Sequence, residues 1–157
     1  MRAGNLAKHK CGFTLLEIMI VTVIVGMLAV LALPAISNAK MNSQNSRLLN
    51  DFRAFSGALE TFALESGDYP EDSSSGAIPA GLEEYIQTDK WIGGAPIGGV
   101  WDVEKEQFDV TSAIGVHRYT VSEKQLNRFD LRYDDGDRST GKYRNLASDR
   151  FYHVVDE

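Results

Sequence analysis

The chain has almost no cysteine and no excess of positive charge. Its 157 residues contain one cysteine, Cys11, which lies ahead of a long apolar run. The residues after Cys11 therefore have no disulfide and no thiolate chemistry, and core packing, alone or with a bound ion, must hold any folded domain together. The net charge is −6. An acidic chain is a poor partner for nucleic acid, so we expect no nucleic-acid partner.

Motifs of common enzyme and nucleotide-binding classes are also missing. The glycine-rich stretch 93–99, GGAPIGG, lacks the Gly-Lys-Ser/Thr ending of a phosphate-binding loop, and no predicted strand precedes it. Serines 73–75 lie in an acidic loop without the pattern of a nucleophile elbow. His117 and His153 have no second metal ligand at a recognisable spacing, which favours an exposed or hydrogen-bonded strand position for each. A membrane-tethered enzyme therefore finds no support in these residues.

One long apolar run dominates what is present. Residues 12–34 read GFTLLEIMIVTVIVGMLAVLALP and carry a single charge, Glu17. A run of this length predicts a transmembrane helix. An acid at the centre of such a helix costs at least ~2.5 kcal/mol on insertion scales, so Glu17 needs a cation. A cut between Gly12 and Phe13 would supply one, because the new α-amino group is positively charged and lies four residues before Glu17 on one helical face.

Basic residues flank the apolar run on its N-terminal side only. Arg2, Lys8 and Lys10 precede it, and no basic cluster follows it at once. The positive-inside rule then keeps the N-terminus in the cytoplasm and sends the C-terminal part across the membrane. We interpret residues 1–12 as a cleaved leader, whose removal takes the net charge from −6 to −9.

An ordinary secretory signal is the alternative interpretation of this run. Its apolar core would be shorter and would end in small residues, for which Ala29, Ala32 and Ala35 are candidates. The acid at Glu17 argues against a secretory signal and favours a retained membrane anchor.

The N-terminal residues resemble a known family. Residues 8–12, KHKCG, followed by residues 13–17, FTLLE, are similar to the leader and cleavage site of type IV prepilins and type II secretion pseudopilins. The resemblance implies that a prepilin peptidase in the membrane cuts after Gly12 and N-methylates Phe13. It also implies that Pro34 is the family's helix-kinking proline, and a proline inside a helix does remove one hydrogen bond.

This resemblance implies a structural subunit of a pilin-like filament in the inner membrane, without catalytic activity. Glu17 would neutralise the Phe13 amine of a neighbouring copy when the apolar helices bundle. Two unit charges ~4 Å apart attract by ~4 kcal/mol at an effective dielectric of ~20, before desolvation reduces the gain. The alternative places the Glu17 carboxylate at the lipid headgroups, since it is only about 6 Å along the helix from Phe13.

The implied partners follow from the same resemblance. They are further copies and related pilin-like subunits, the prepilin peptidase, an inner-membrane assembly platform and membrane lipid. A type II secretion pseudopilin is preferred over a type IV pilus subunit, because the globular part is short and has no cysteine with which to form a disulfide. A minor tip subunit that binds a surface or substrate through the loop 67–99 is a further alternative.

The rest of the chain predicts an α+β, pilin-like fold. Residues 13–36 form the transmembrane or filament-core helix, residues 37–66 an amphipathic spine, and residues 67–157 a small globular region. Apolar residues recur every three or four positions along the spine and predict one buried face: Leu48, Phe52, Phe55, Leu59 and Phe62. Gly67 suits a left-handed helix cap.

The globular region is predicted to be a small antiparallel sheet packed on the spine. The predicted strands are 100–104, 107–110, 113–119 and 151–155. A short helix is predicted at 79–86, and a second one follows the capping box at 122–125. Trp91 and Trp101 are predicted to pack in the core or on the sheet.

Three acids close together form a candidate calcium site. Asp134, Asp135 and Asp137 surround Gly136, and calcium prefers oxygen ligands. The resemblance adds that major pseudopilins carry calcium in this C-terminal loop. The alternative is an Asp-Gly turn whose carboxylates cap backbone amides or meet Arg138 and Arg144.

Overall fold

The structure, a computed structural model, describes residues 12–157. The predicted leader 1–12 therefore lies outside the described residues, apart from Gly12. Contacts divide the chain into two units, with the division between Lys40 and Met41, and each unit is described by itself. The predicted boundaries at residues 36 and 66 remain predictions.

The first unit is helical and fully exposed. Helix α1 spans Leu15–Ser66, and its residues up to Lys40 belong to this unit. Every side chain from Gly12 to Lys40 is exposed, including the large apolar ones. Pro34 lies inside α1, while the bend that it is expected to cause remains a prediction.

The second unit begins with the remaining part of α1, which presents the predicted apolar face. Leu48, Phe52, Phe55 and Leu59 are at most 2% exposed, and Phe62 is half-buried. The helix ends where it was expected to end. The backbone N–H of Gly67 donates to Ala63 O at 2.9 Å, and Gly67 has a φ of 89°, which favours glycine.

A four-stranded antiparallel sheet covers this face, as the α+β prediction requires. The strands are β1 (Val100–Gln107), β2 (Val110–His117), β3 (Tyr143–Ala147) and β4 (Arg150–Asp156), in the order β1-β2-β4-β3. Two further helices accompany the sheet, α2 (Thr88–Ile92) and α3 (Glu123–Tyr133). Trp101, Val116 and Phe151 are in register across three strands, and all three are buried on the side that faces α1.

Aromatic rings fill the space between helix and sheet. The ring of Phe52 lies 5.7 Å from Trp101, 6.1 Å from Phe151 and 6.2 Å from Phe129 of α3. The pairs with Trp101 and Phe129 are edge-on and the pair with Phe151 is tilted. Aromatic contacts at these distances add to the free energy of burying the rings. Trp91 of α2 is also buried, so both tryptophans pack in the core as predicted.

The predicted turn of the first hairpin was misplaced. The charged residues after Glu104 continue β1 to Gln107, and the turn falls at Phe108 and Asp109 instead of before a strand 107–110. Both turn residues have positive φ angles, 53° and 59°. Lys105 remains in the strand because its ammonium group pairs with Asp68, at 2.8 Å, and with a second acid of the same loop.

Other local predictions are wrong or incomplete. The helix predicted at 79–86 is only the 3₁₀ turn Leu82–Glu84, and α2 and β3 were not predicted. Helix α3 begins after Ser122 as expected, but within residues 12–157 the Ser122 side chain makes no capping hydrogen bond. The capping box there is therefore wrong, although the helix is confirmed.

Candidate functional site

The predicted processing site lies just before the first helical residue. Gly12 and Phe13 are outside regular secondary structure, and the Phe13 side chain is 78% exposed. Exposed backbone outside regular secondary structure is the form of substrate that a peptidase can bind. The peptide bond between these two residues is therefore accessible in this unit.

Thr14 precedes the first residue of helix α1 and caps its first turn at Glu17. The backbone N–H of Glu17 donates to the Thr14 hydroxyl at 3.2 Å. The sequence Thr-Leu-Leu-Glu has the spacing of a capping box, a signal that the sequence analysis missed. Glu17 consequently lies in the first turn of the helix, where the partial positive charge of the backbone favours a carboxylate.

The helix that follows carries a continuous apolar surface. Among the described residues, α1 contains the one helix segment long and apolar enough to cross a membrane, and none of that segment is buried. Burying apolar surface is worth about 25 cal/mol per Å², so this surface is unfavourable in water. It therefore favours an apolar environment over water.

The second candidate site is an acidic group at the end of α3. Oxygens of Asp130, Asp134 and Asp135 lie within 4.8 Å of one another. Asp130 is fully buried, and in the described part of the chain neither of its carboxyl oxygens has a hydrogen-bond partner. Buried carboxyl groups are normally paired, so Asp130 lacks a partner that a cation would supply.

The surroundings of Asp130 oppose its negative charge. Burial, followed by the charges of Asp134 and Asp135, raises the pKa of Asp130 to about 6, against the smaller opposing effects of the nearby Gly136 N–H and the charge of Arg138. The Asp134 carboxylate is held in place by the backbone N–H groups of Lys142 and Tyr143, the latter at 2.8 Å. Oxygen donors with net negative charge are the ligand set that calcium prefers, so these three residues fit a calcium ion.

Asp137, the third predicted ligand, is not part of this group. Its carboxylate accepts hydrogen bonds from the Ser139 backbone N–H at 3.0 Å and from the Ser139 hydroxyl at 2.6 Å. These bonds lower the pKa of Asp137. Asp130 lies in the group instead, while the choice of calcium ligands stays a prediction. The missed signal is the four-residue spacing between Asp130 and Asp134, which places Asp134 one turn after Asp130 at the end of α3.

The arginines offered as alternative partners are engaged elsewhere. Arg138 donates to Asn127 at 2.6 Å and also pairs with Glu123, which joins the loop to α3. Arg144 pairs with Glu157 at 2.6 Å. In the part of the chain that the structure describes, neither arginine forms an ion pair with the acidic group. The capping of backbone amides is present, since Asp134 and Asp137 both accept such bonds.

One cluster has the composition of a catalytic triad but not its direction of hydrogen bonding. His117 Nδ1 lies 2.9 Å from the Ser75 hydroxyl, and its Nε2 lies 3.2 Å from Asp149. The Ser75 hydroxyl, however, donates to the buried Asp102 carboxylate at 2.7 Å. A serine whose proton points to a carboxylate is not activated by the histidine, so this cluster fastens the loop to the sheet.

His153 does not fit its expected description. It faces the core, its ring stacks on Tyr143 at 4.8 Å, and within the described residues its Nδ1 has no hydrogen-bond partner. Burial lowers the pKa of His153 to about 4. The imidazole is therefore neutral at physiological pH and packs like an aromatic ring.

Comparison with known families identifies a motif in the N-terminal residues. Residues 7–33 match the family model described as "Prokaryotic N-terminal methylation motif". This range includes Gly12, Phe13 and Glu17, the residues that the sequence analysis selected. The chain therefore carries the N-terminal motif of prepilin-like proteins.

Curated relatives are similar over less than the whole chain. The chain is 42% identical over 63 residues to "Type II secretion system core protein G" of Klebsiella pneumoniae, which is 40% of this chain and 45% of the relative. It is 36% identical over 76 residues to the protein of the same name from Escherichia coli (strain K12), 48% of each chain. It is 36% identical over 78 residues to "Fimbrial protein EcpC" of Eikenella corrodens, 49% of this chain and 51% of the relative. The chain spans about half the length of these relatives.

Proposed function

We propose that the chain is a structural subunit of a pilin-like filament, and specifically a type II secretion pseudopilin. In this role it catalyses no reaction and supports protein secretion by assembling. The observation that carries the proposal is an exposed apolar helix, capped at Thr14, with a single acid at Glu17 and an exposed Gly12–Phe13 segment just before it.

Assembly would follow cleavage between Gly12 and Phe13. The new amine of one copy meets the Glu17 carboxylate of a neighbour as the helices bundle. A buried pair of this kind gains ~4 kcal/mol at ~4 Å in a dielectric of ~20, from which desolvation is subtracted. Sliding one helix by a turn, about 5.4 Å, would separate the charges, so the pair selects one axial register.

The type II secretion role is preferred because proteins named core protein G account for the first two relatives described above. The fimbrial relative has the same identity as the second of them, so a type IV pilus subunit is the second candidate. A minor tip subunit would be rare in the filament. The relative abundance of this chain in purified filaments separates these roles.

The location and partners follow from the same proposal. The apolar helix anchors the chain once in the inner membrane, with the N-terminus in the cytoplasm and the second unit outside. The prepilin peptidase, the inner-membrane assembly platform, membrane lipid and related pilin-like subunits are its partners.

We also propose that calcium binds Asp130, Asp134 and Asp135. The support is the unpartnered, buried Asp130 beside two carboxylates. The ion would neutralise the acidic group and hold the end of α3 against the start of β3. Calorimetry with calcium on the purified protein tests this: no heat and no rise in melting temperature would refute it.

Mass spectrometry and filament isolation test the main proposal. The chain is co-expressed with a type II secretion assembly system, and its N-terminus is determined in sheared filaments. We expect a chain that begins at methylated Phe13, and a Gly12→Val variant that keeps its leader and is absent from filaments. A wild-type chain that retains Met1 would overturn the proposal.

A further inference from the structure

A row of basic side chains lies on the exposed side of α3. Lys124, Arg128 and Arg132 recur every four residues and so share one face of the helix, and all three are exposed. Helix α3 packs beside the beginning of α1 in the second unit, because Asn45 Nδ2 donates to the Gln125 carbonyl at 3.3 Å. We refer to these three cations as the basic row.

Four exposed carboxylates lie around the other end of the same part of α1. They belong to Glu60, Glu65, Glu83 and Glu84 and are called the acidic end. The Tyr85 hydroxyl donates to Glu65 at 2.6 Å, which brings the turn Leu82–Glu84 to the last turns of α1. Across residues 12–157, none of the four carboxylates has a basic partner.

The two charged surfaces are too far apart to neutralise each other within one copy. Twenty helical residues separate Asn45 from Glu65, which is about 30 Å at 1.5 Å per residue. At physiological ionic strength, charges are screened beyond about 8 Å. The acidic end therefore presents negative charge that no basic group among the described residues of the same copy compensates, and a cationic surface on another molecule would complement it.

We propose that the basic row of one copy contacts the acidic end of the next copy in the filament. This inference rests on the proposed function, because it needs many copies in one assembly. A contact between two different surfaces of the same chain is heterologous, and it repeats without closing when each copy is translated along an axis. It therefore gives the filament a direction and contributes to the spacing between copies.

A second copy would contact both surfaces, whereas an anionic membrane would contact only the basic row. Lipid phosphates would neutralise the basic row and leave the acidic end as it is. Charge complementarity across an interface also disfavours a wrong register between copies, because a shifted register would bring like charges together. Lys124 and Arg132 are the residues to test, because they bracket the row.

Cross-linking between copies tests the contact directly. Cys11 is replaced by serine, and copies that carry Lys124→Cys are co-expressed with copies that carry Glu84→Cys and a distinguishing tag. We expect mixed disulfides in wild-type-like filaments, at a yield at least tenfold above that of a Glu106→Cys control, an exposed acid in the β1–β2 hairpin. Equal yields for the two pairs would overturn the inference.

Charge reversal tests whether the contact supports assembly. The combination Lys124→Glu with Arg132→Glu should lower filament yield about tenfold, and adding Glu83→Lys with Glu84→Lys should restore it to within threefold of wild type. Arg118→Glu with Glu106→Lys is the control and should have no effect. The pairing would be refuted if the fourfold variant had the melting temperature of wild type but its filament yield were not restored.

The two levels of the proposal fail in different ways. A wild-type chain that forms no filaments contradicts the proposed function itself. Filaments that form without the mixed disulfide contradict only this inference. Vesicles of phosphatidylcholine with and without phosphatidylglycerol are tested in parallel: if the chain binds better to the anionic vesicles, Lys124→Glu with Arg132→Glu removes that preference and the mixed disulfide is absent, the basic row is a lipid site and the inference is wrong.

Discussion

Removing the Asp130 carboxyl group should stabilise the metal-free protein. Asp130 is fully buried without a hydrogen-bond partner, and burial raises its pKa from 3.8 to about 6. At ~1.4 kcal/mol for each pH unit, keeping this carboxyl ionised in the fold costs about 3 kcal/mol at neutral pH. For an acid with a raised pKa, the cost is absent below pH 3.8 and is complete above about pH 6. Asp130→Ala removes it and leaves a small cavity worth about 1 kcal/mol.

The assay is thermal unfolding of the full chain in detergent, followed by the fluorescence of the two buried tryptophans. In chelator, Asp130→Ala should melt roughly 6–12 °C above wild type, for a net gain of about 2 kcal/mol. Calcium at 100 times its dissociation constant should stabilise wild type by about 2.7 kcal/mol and leave the variant unchanged.

Asp137→Ala is the matched control for this experiment. Asp137 caps the Ser139 backbone instead of joining the acidic group, so Asp137→Ala should melt close to wild type and preserve the calcium response. The reasoning fails if Asp130→Ala melts below wild type in chelator, or if it keeps the full response to calcium.

Three further predictions concern the second unit and use urea unfolding. Gly115→Ala should destabilise by about 1–3 kcal/mol because a Cβ there would overlap the ring of Tyr152, whereas Gly57→Ala, with nothing within 4 Å, should stabilise by about 0.5–1 kcal/mol. The opposite ranking would contradict the packing. Phe52→Ala should cost about 3–5 kcal/mol, and a loss under 1 kcal/mol would remove it from the centre of the core. Because the pKa of His153 is lowered from 6.5 to about 4, the unfolded chain binds a proton first, and stability should fall by about 3 kcal/mol as the pH drops through this range. A His153→Phe variant that declines as steeply as wild type would refute this.

The parts of the fold that follow from local patterns could be predicted from the sequence. The stripe from Leu48 to Leu59 identifies the buried face of α1, because a helix places residues three and four apart on one side. The end of that helix at Gly67 is also a local feature, because Gly67 adopts a left-handed backbone conformation that favours glycine. Strand β4 was predicted to within one residue at each end.

Other parts depend on contacts between distant residues and were missed for that reason. Lys105 remains in β1 through ion pairs with acids of a loop more than thirty residues earlier in the chain. The sequence around Lys105 does not show these partners, and therefore its charged residues gave no strand pattern. Strand β3 has no clean alternation of buried and exposed residues and is defined by its pairing with β4. Its residues therefore gave no local signal.

The candidate sites show the same division. Glu17 was predicted from its position in the apolar run and from the resemblance at residues 8–17. Its capping-box spacing to Thr14 is also local, but it was missed. In the acidic loop, proximity along the chain favoured Asp137 over Asp130. Helix α3 and the loop after it bring the carboxyl group of Asp130 close to those of Asp134 and Asp135, which a count of neighbouring acids does not reveal.

The central claim is that Glu17 meets the Phe13 amine of another copy. The most direct measurement compares Glu17→Ala with wild type for incorporation into sheared filaments, after mass spectrometry has established that both chains begin at Phe13. We expect the variant to be cut and to enter the membrane as wild type does, but to be reduced at least tenfold in filaments. Incorporation of the processed variant at the wild-type level would contradict the claim.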